Sequence, residues 1–254
     1  MTYDKLLRIR KCMISTETSF VIPMYNEEGN VEPLLTELVY AIKSQISTFE
    51  IILVDDQSID GTFRKLNNYK ESNPDIDITI MQNNKNSGQG ISVYNGCKNA
   101  KYESTVIMDG DLQVNPLDII KLYQYMFDNK LDFVCSKRKT RADDIILRHM
   151  PSMIGNVLIR LLFKAELIDI GSSLKIIPKS KLLKVEPFRN FHRYVSIFLH
   201  HQHLSYSELE VEHRSRNFGS SNYSVFKFAA VIGELFVVNK HLKKMTRLLR
   251  KEKK

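Results

Sequence analysis

A series of short apolar segments, each ending in polar or acidic residues, constrains the fold of this chain more than any other feature. The segments are Ser19–Pro23, Glu50–Val54, Ile76–Met81 and Ser104–Met108. Continuous apolar strands that alternate with helices are typical of a parallel sheet covered by helices on both faces. Ligands bind to such sheets at the carboxyl ends of the strands, so we expect the chemistry along that edge.

The stretches between these strands show helical spacing. Pro33–Lys43 carries one apolar stripe, and helices are also predicted from Gly90 to Ala100 and from Ile119 to Asn129, before a strand at Phe133–Ser136. No internal repeat or low-complexity linker interrupts the pattern. We therefore predict one mostly parallel α/β domain over residues 19–222, with a basic lead-in at 1–18 and a helical extension at 223–254.

Composition narrows the class of protein. The chain has 254 residues, of which 43% are hydrophobic and 26% charged, and this is a globular composition. Its three cysteines, Cys12, Cys97 and Cys135, are widely spaced, which argues against a disulfide framework or a cysteine-built zinc site and favours a reducing compartment. No apolar run resembles a signal peptide or approaches the ~18–20 residues that cross a bilayer. The net charge of +8 indicates an anionic partner: a nucleotide, a phospholipid surface or nucleic acid.

The C-terminal part differs in character from the sheet-forming part. Residues 143–164 are amphipathic and contain arginines, residues 223–238 form an apolar helical pattern, and many lysines and arginines follow. These features predict reversible attachment to a membrane surface through an interfacial helix and basic residues. The alternative is that Val225–Val238 packs in the core or in a dimer interface.

Asp109 and Asp111 follow the fourth strand, two positions apart. Residues i and i+2 of a strand lie on the same face, so the two carboxylates can converge on one hard divalent cation. Gly110 between them permits close backbone approach. Mg²⁺ and Mn²⁺ prefer oxygen ligands and share them with substrate phosphates. A solvated turn at the end of a strand is the alternative for this pattern on its own.

Asp55 and Asp56 end the second strand. Acidic residues at this position hydrogen-bond a ribose or a base edge in nucleotide-binding folds, so we expect one of the two to be functional. Asp60 instead has the pattern of a helix start and is expected to be mainly structural. Asn86–Gly90 is a glycine-containing turn before a helix, where N–H groups can meet a phosphate, and a plain turn is an equal alternative.

Two basic segments lie further along the chain. His192–Arg193 and His213–Arg216 each place cationic or protonatable groups beside expected loops. Arginine can grip a phosphate with two parallel hydrogen bonds, so both segments suit a pyrophosphate or an anionic acceptor. Ordinary surface charge explains either segment if it is taken alone.

In this order the segments resemble the GT-A glycosyltransferases of family 2, and within them the dolichol-phosphate mannose/glucose synthase-like branch. Residues 21–28 resemble the family's opening VIPxYNEE, residues 54–62 resemble VDDGSxDGT, residues 86–90 stand where NxGKGxA is usual, and residues 108–113 resemble MDADLQ. Residues 169–175, 192–194 and 213–223 resemble DxxCGLK, HRF or HRY, and HxxRxxGxSKY. Each match is weak alone, but the ordered set is specific and extends from about residue 20 to residue 228.

The resemblance implies a role for each matched residue. The donor nucleotide would lie against Pro23, Tyr25, Glu27, Asp55, Asp56, Gln89 and Asp109. A metal ion on the donor pyrophosphate would be held by Asp109, Asp111 and Gln113. Phosphate and acceptor would meet Lys175, Arg216 and Ser221 in a loop that closes on the site. The residues expected to act in the transfer itself are Asp111, His192, Arg193 and Arg216.

Three positions depart from the family pattern. Gln57 stands where glycine is usual, and Gln89 and Asn222 stand where lysine is usual. Each missing lysine removes a positive charge that attracts phosphate. Donor binding or acceptor identity is therefore expected to differ from that of the best-known members.

The reaction implied by the resemblance inverts the anomeric centre, while Mg²⁺ or Mn²⁺ offsets the charge that grows on the departing nucleoside diphosphate. A sugar hydroxyl acceptor would need a general base. Between Leu174 and Leu204 the one carboxylate is Glu186. A lipid phosphate is already ionised and needs cations such as His192 and Arg193 rather than a base. This favours transfer of a hexose from a GDP- or UDP-sugar to a polyprenyl phosphate, either dolichyl or undecaprenyl.

Two other functions remain open. One is a non-processive glycosyltransferase that acts on a sugar hydroxyl in surface polysaccharide or glycan synthesis; the QxxRW signature of processive synthases is absent, and the chain has no tryptophan. The other is a non-catalytic membrane- or nucleic-acid-binding protein, which leaves the acidic edge unexplained. Aromatic residues are not interleaved with basic ones, so no nucleic-acid partner is expected. We expect a cytoplasmic enzyme, peripheral on the cytoplasmic face of a membrane, and leave homo-oligomer formation open.

Overall fold

The computed structural model describes residues 14–138, 159, 162–165, 167–212, 214 and 227–252, and the side chains of the last segment are described from residue 233. The strands are β1 (Thr18–Met24), β2 (Phe49–Asp55), β3 (Ile78–Gln82), β4 (Ser104–Met108), β5 (Phe133–Arg138), β6 (Leu174–Pro178) and β7 (Tyr206–Val211). The helices are α1 (Val31–Ile42), α2 (Thr62–Ser72), α3 (Gln89–Asn99), α4 (Leu117–Asp128), α5 (Lys179–Leu182), α6 (Phe191–His200) and α7 (Lys227–Glu252).

Within the described ranges, seven strands form one sheet in the order β3-β2-β1-β4-β6-β5-β7. β1 lies between β2 and β4 and is parallel to both, and β5 is parallel to β7. β6 runs antiparallel to its neighbours β4 and β5. The predicted mostly parallel sheet is confirmed, and the reversed β6 is a feature that the apolar pattern did not indicate. Because β6 is reversed, its first residues lie beside the end of β4, where the Asp109 N–H donates to the Ser173 carbonyl oxygen at 3.2 Å.

The sheet separates two apolar cores. Alternate residues of a strand point to opposite faces, so Phe20 and Ile22 of β1 join one core while Val21 between them joins the other. The first core contains buried side chains of α1, α2 and α4, and the second contains those of α3, α6 and α7. All of the central strands are therefore covered on both faces, which explains why their sequences are continuously apolar.

The C-terminal helix α7 packs along one side against the second core. Leu235, Val238, Leu242 and Met245 are buried at spacings of three and four residues, which define one helical stripe. The part of Val225–Val238 that the structure describes therefore contacts protein along this stripe. Phe236, which directly follows Leu235, is 73% exposed on the outer side of the helix. No helix among the described residues combines the length and apolar character that crossing a bilayer needs.

Two cysteines are buried as free thiols. Cys97 lies in α3 and Cys135 in β5, and burial raises the pKa of each thiol to about 12. At physiological pH both are therefore protonated and unreactive side chains of the core. Cys12 lies outside the described residues, as do most of the lead-in and residues 143–158 of the predicted amphipathic stretch.

Candidate functional site

Two loops at the carboxyl edge of the sheet are joined by hydrogen bonds. β1 and β2 pair in a register that sets Met24 opposite Asp55, so the loops that follow lie side by side. The Asn26 side chain accepts a hydrogen bond from the Ile59 N–H at 2.9 Å, and the Asn26 N–H donates to the Ser58 hydroxyl at 2.9 Å. The segments after β1 and β2 therefore form one continuous loop surface.

Asp56 organises the loop that precedes α3. It is buried, and its carboxylate accepts hydrogen bonds from the Asn83 side chain at 2.7 Å and from the N–H groups of Ser87 and Gly88 at 2.9 and 2.7 Å. Gly88 has a φ of +92°, which glycine adopts without a steric cost. The predicted glycine-containing turn is thus tied to the end of β2 by a carboxylate that faces the loop.

Asp55 and Asp60 are also engaged in local hydrogen bonds. Asp55 is buried and accepts from the Ser58 N–H at 3.2 Å and from the Gln82 side chain at 2.8 Å. Asp60 accepts from the N–H and hydroxyl of Thr62, at 3.0 and 2.5 Å. Burial disfavours the charged form of Asp60, but the hydrogen bonds from Thr62 outweigh it and lower the pKa. The predicted structural role of Asp60 at the start of α2 is confirmed.

The other residues expected to line a nucleotide pocket lie at the same edge. Pro23 is buried in β1, whereas Tyr25 just after the strand is 43% exposed. Glu27 is partly exposed, and its carboxylate accepts a hydrogen bond from the Asn30 side chain at 2.5 Å. Their place in the fold matches the expectation, while their contact with a nucleotide stays a prediction.

Asp109 and Asp111 occupy the turn after β4. The Gln89 side-chain nitrogen donates to Asp109 Oδ1 at 2.5 Å, and Asp111 Oδ1 accepts from the Gln113 N–H at 3.2 Å. A Cβ on Gly110 would lie 2.3 Å from Met24 Sδ, so this turn packs closely on β1. Gln89 thus contacts the acidic turn as a neutral donor in the place where the resemblance led us to expect a lysine.

The donor set of this turn fits a hard divalent cation that is shared with a ligand. Asp109 and Asp111 are both carboxylates from one turn, and the described residues contain no group of three or more His, Cys, Asp or Glu side chains that could hold a metal ion. Two carboxylates leave most positions of an octahedral cation to water and phosphate oxygens. The turn therefore suits a metal bound together with a phosphate, not a closed protein site.

Gln113 connects the acidic turn to the segment after β7. The Arg214 N–H donates to the Gln113 carbonyl oxygen at 2.8 Å, and the Gln113 side-chain nitrogen donates to the Arg214 carbonyl oxygen at 3.4 Å. Arg214 also pairs with Glu37 of α1 at 2.7 Å. The segment that resembles the family's closing loop therefore starts beside the acidic turn. Arg216 and Ser221 lie outside the described residues, and Gln113 as a metal ligand stays a prediction.

Lys175 lies near the acidic turn but inside the sheet. It is 2% exposed, pairs with Ile107 and Cys135 in the neighbouring strands, and donates from Nζ to the Ser172 carbonyl oxygen. Burial lowers the pKa of Lys175, and neighbouring negative charges, including that of Asp109, oppose this shift. Lys175 is therefore a strand residue and not part of an acceptor loop, because the reversed β6 carries it into the core. Its contact with phosphate stays a prediction.

Asp169 forms a bidentate pair that the sequence did not indicate. Its carboxylate accepts hydrogen bonds from Arg138 Nε at 2.8 Å and from Arg138 Nη2 at 3.0 Å. Burial disfavours the charged form of Asp169, but Arg138 outweighs this effect and lowers the pKa. Glu208 of β7 accepts from the N–H groups of Ile168 and Asp169 at 2.6 and 2.8 Å. β5 and β7 thus fix the chain that leads into β6.

His192 and Arg193 lie in the first turn of α6, next to the loop that precedes this helix. The His192 Nδ1 is enclosed and has no hydrogen-bond partner among the described residues. Burial lowers the pKa of His192 to about 3, and the positive charges of Lys175 and Arg193 add to the shift. Burial thus favours the neutral form of the imidazole, and the part of His192 in binding the acceptor stays a prediction. Arg193 is exposed and is the cation of this pair.

Two backbone conformations in these loops are unusual for their residue types. Gln57 has a φ of +63° and Leu112 a φ of +59°, both in the left-handed region. Side chains with a Cβ pay a steric cost there, and such strain persists where surrounding contacts hold the chain. Gln57 occupies the position where the family pattern has glycine, so its departure from the pattern carries a conformational cost.

The start of α6 packs directly on the loop before α3. The Gly90 N–H donates to the Arg189 carbonyl oxygen at 2.9 Å, and a Cβ on Gly90 would lie 2.4 Å from the Phe191 nitrogen. Arg189 also donates to the Asn86 side chain at 2.8 Å. Gln89, the first residue of α3, contacts Asp109. The segment with His192 and Arg193 and the acidic turn therefore meet at one edge of the sheet.

Comparison with known proteins identifies the class of protein that has this fold and this acidic edge. The profile of Glycosyl transferase family 2 matches residues 19–191, well over half of the chain. The chain belongs to this family, and it is a glycosyltransferase of the GT-A fold. The fold is also that of glucosyl-3-phosphoglycerate synthase from Mycobacterium tuberculosis, solved in complex with Mn²⁺, UDP-glucose and glycerol 3-phosphate. The TM-score is 0.61 at 15% identity, over 91% of this chain and 80% of that one.

Two curated relatives transfer sugars to lipid phosphates according to their names. Dodecaprenyl-phosphate galacturonate synthase of Rhizobium johnstonii is 33% identical over 226 residues, which cover 88% of this chain and 67% of the relative. Undecaprenyl-phosphate 4-deoxy-4-formamido-L-arabinose transferase of Pectobacterium carotovorum is 29% identical over 217 residues, which cover 85% of this chain and 65% of the relative. The chain thus spans about two thirds of the length of each.

Proposed function

We propose that this glycosyltransferase transfers a sugar from a nucleoside-diphosphate donor to a polyprenyl phosphate at a membrane surface. The observation that carries the proposal is the packing of α6 on the loop before α3. This packing sets Arg193, an exposed cation, at the same edge as the two carboxylates of Asp109 and Asp111. A phosphate acceptor and a metal-bound pyrophosphate need this combination of charges.

The donor half of the proposed site comprises the loops after β1, β2 and β4. Tyr25 and Glu27 lie at its rim, and Asp55 and Asp56 hold the neighbouring loops through buried hydrogen bonds. We assign to Asp55 contact with the ribose or base of the donor and to Asp56 the positioning of the loop that contains Gln89. The nucleotide and sugar are left to experiment, since GDP- and UDP-sugars suit the same loops.

Asp109 and Asp111 would hold Mg²⁺ or Mn²⁺ against the donor pyrophosphate. When bound, such a cation offsets the negative charge that develops on the departing nucleoside diphosphate. Gln89 orients the Asp109 carboxylate through a neutral hydrogen bond, so it leaves the negative charge of the turn undiminished. Glucosyl-3-phosphoglycerate synthase, which has the same fold, was solved with Mn²⁺, and this supports the choice of metal.

The described carboxylates near α6 favour an acceptor that is already ionised. Asp169 is held by Arg138 through two hydrogen bonds, and Glu234 of α7 accepts hydrogen bonds on both of its oxygens. Glu186 is exposed and pairs with Lys244 at 2.6 Å. None of the three is set up to take a proton from a sugar hydroxyl. Inversion at the anomeric carbon by an attacking phosphate oxygen needs only a cation such as Arg193 to orient it.

The outer face of α7 supports a peripheral contact with an anionic membrane. Exposed residues recur on one side of the helix at spacings of three and four positions: Phe236, Lys240, Lys243, Arg247 and Lys251. Each basic residue near an anionic lipid surface contributes ~1 kcal/mol, so four such residues give reversible attachment. The opposite face of the helix is buried in the second core, so membrane contact by this outer face needs no unfolding. The cytoplasmic placement stays a prediction.

A donor and acceptor panel tests the proposed function. The protein is incubated with Mg²⁺ or Mn²⁺, undecaprenyl phosphate in detergent micelles, and in turn UDP-glucose, UDP-galacturonate and GDP-mannose. We expect lipid-linked sugar with one donor, dependent on the metal and lost on addition of EDTA. Transfer only to a free sugar or oligosaccharide would replace the lipid phosphate by a hydroxyl acceptor and leave the glycosyltransferase assignment in place.

A further inference from the structure

A carboxylate from the C-terminal helix reaches the first turn of α6. Glu234 of α7 accepts a hydrogen bond from the Asn190 side chain at 2.5 Å on one oxygen and from the Tyr194 hydroxyl at 2.6 Å on the other. The two donors flank Arg193, whose guanidinium nitrogen lies 3.6 Å from the same carboxylate. Glu234 lies 40 positions after Tyr194 in the chain, so only the docking of α7 brings it here.

Among the described residues, the Arg193 side chain lies near Glu234 and donates no hydrogen bond to a side chain. The distance of 3.6 Å to the carboxylate is an ion pair but exceeds a hydrogen bond, and the guanidinium carbon lies 6.0 Å from the centre of the Tyr194 ring. The Arg193 side chain remains 46% exposed and makes no hydrogen bond to another described side chain. The Glu234 carboxylate and the Tyr194 ring therefore orient the guanidinium group of Arg193, and its N–H groups remain available to bind a phosphate.

The same region connects to the acidic turn. Asn190, which donates to Glu234, immediately follows Arg189, whose carbonyl oxygen accepts from the Gly90 N–H. Gly90 in turn follows Gln89, the donor to Asp109. Packed and hydrogen-bonded residues therefore extend from α7 to both the acceptor cation and the acidic turn, and the C-terminal helix is part of the framework of the site.

We propose that Glu234 is a positioning residue for the acceptor: it holds the guanidinium of Arg193 in place to receive the phosphate group of the acceptor. The proposal rests on the proposed function, because it takes Arg193 as the group that contacts the lipid phosphate. It adds a residue from beyond the part of the chain that the family profile matches. The acceptor half of the site comprises Arg193 in the first turn of α6 and the side chains around it. The proposal makes α7 a component of this acceptor half and not only a support for the core.

Steady-state kinetics with undecaprenyl phosphate as the varied substrate tests this proposal. Glu234→Gln keeps the shape of the side chain and removes its charge. We expect it to raise the KM for undecaprenyl phosphate by about fivefold, the upper range for a partly exposed ion pair, with little change in kcat or in the KM for the nucleotide-sugar. Arg193→Ala should raise the same KM further, and Glu234→Gln added to Arg193→Ala should cause no additional increase, because Glu234 acts through Arg193.

Glu186→Gln is the matched control. Glu186 also anchors α7, through Lys244 at 2.6 Å and His241 at 3.9 Å, but it contacts none of the residues around Arg193. We expect it to lower thermal stability to an extent similar to Glu234→Gln and to leave the KM for undecaprenyl phosphate unchanged. A role of Glu234 only in docking the helix would instead give the two variants the same kinetics.

The outcomes separate the inference from the function on which it rests. If the wild-type protein transfers sugar to undecaprenyl phosphate but Glu234→Gln matches Glu186→Gln, or if its effect persists in the Arg193→Ala background, the inference fails and the function stands. If the wild-type protein transfers no sugar to undecaprenyl phosphate from any donor, both fail. Should Glu234→Gln lose its folded signal in circular dichroism, Tyr194→Phe replaces it. An unchanged acceptor KM in that variant overturns the proposal.

Discussion

The donor and acceptor halves of the candidate site are built in different ways. On the donor side, Asp55, Asp56 and Asp60 each accept at least one hydrogen bond from a backbone N–H group of a loop or of a helix start. On the acceptor side, the contacts join the side chains of separate elements. Arg138 contacts Asp169 across 31 positions, and Tyr194 contacts Glu234 across 40.

This difference determines how each half responds to change. The donor loops are held by buried carboxylates that bind backbone N–H groups, and an unsatisfied buried group costs ~1–3 kcal/mol. The acceptor half relies on partly exposed ion pairs and on helix packing, which contribute less individually. We therefore expect substitutions on the donor side to abolish function or folding, and those on the acceptor side to change affinity by small factors.

The largest effect is expected at the acidic turn. Asp111→Asn keeps the size of the side chain and removes the charge that a divalent cation needs, so we expect sugar transfer to fall by about 10²–10³-fold. The rate of lipid-linked product formation measures this loss at saturating metal. Folding should be preserved, since Asp111 makes its described hydrogen bond as an acceptor, which asparagine retains.

Asp77→Asn serves as the control for the acidic turn. Asp77 is an exposed carboxylate, and Lys101 donates a hydrogen bond to it at 2.5 Å, at the opposite end of the strands. The rate of sugar transfer by the Asp77→Asn variant should equal that of the wild-type protein. An equal rate in Asp111→Asn would mean that the acidic turn holds no metal in the reaction, and the donor half would have to be placed elsewhere.

The contact between the two halves is tested at Gly90. A methyl group there would lie 2.4 Å from the Phe191 nitrogen and 2.5 Å from the Phe188 carbonyl oxygen, which are backbone atoms. We expect Gly90→Ala to lower the free energy of unfolding by about 1–3 kcal/mol, because α6 must move away from α3. The same movement should weaken the binding of both substrates. Urea unfolding and the two KM values measure these effects.

Gly233→Ala provides the comparison for a helical glycine with open space around it. Outside its chain neighbours and the backbone of its own helix, no described atom lies within 4 Å of a Cβ built at Gly233, so alanine should stabilise α7 by about 0.5–1 kcal/mol through its helix propensity. Equal effects of the two alanine substitutions would show that the packing at Gly90 is looser than the distances indicate.

A pH titration sharpens the comparison on the acceptor side. The pKa of His192 is lowered from the ordinary 6.5 to about 3 by burial and by Lys175 and Arg193. As the pH falls below the unfolded value, the unfolded chain binds a proton at His192 and the folded chain does not, so stability is lost across this window. One such group contributes a slope of at most about 1.4 kcal/mol per pH unit.

His192→Gln should therefore show a shallower loss of stability between neutral pH and about pH 4 than the wild-type protein, measured by urea unfolding at each pH. A slope identical to that of the wild-type protein would mean that the imidazole takes up a proton in the folded state. That result would support His192 as a cation for the acceptor.

The smallest effect is expected at Gln57, in the loop after β2. Its φ of +63° costs a residue with a Cβ ~1–2 kcal/mol, and glycine avoids this cost while losing more backbone entropy on folding. We expect Gln57→Gly to raise the free energy of unfolding by about 0.5 kcal/mol. Asn26→Gly, at a φ of +54°, should lower it instead, because the Asn26 side chain accepts the hydrogen bond from the Ile59 N–H. A loss of stability in Gln57→Gly would reveal a side-chain contact stronger than the strain.

Much of the donor half was predictable from the sequence. The apolar runs indicated β1, β2 and β4 to within two residues at each end, and the acidic residues after them lie at one edge as expected. Asp60 was recognised as structural because a helix start is a local pattern. The reversed strand β6 was not recognised, since its apolar residues resemble those of a parallel strand. Lys175 was consequently expected in a loop and lies in the core.

The acceptor half was less accessible to sequence reasoning. Arg138 and Glu234 were not singled out, because each stands in a segment whose own pattern is ordinary and no local pattern indicates its partner. One feature of the sequence could have indicated Glu234: it is the one carboxylate in the apolar helical stretch 223–238, and a carboxylate is unusual on a buried helix face. The pKa of His192 could not be read from its neighbours in sequence, since its burial and the charge of Lys175 lower it.

By itself the sequence determined the sheet, its two-sided burial and the acidic edge, because each central strand is a continuous apolar run that ends in polar or acidic residues, and this pattern is local. The tertiary structure alone decided which strand reverses, which cation remains exposed and which helix supplies the carboxylate beside it. These outcomes depend on burial and on contacts between distant segments, and the free energy of a charge changes with both.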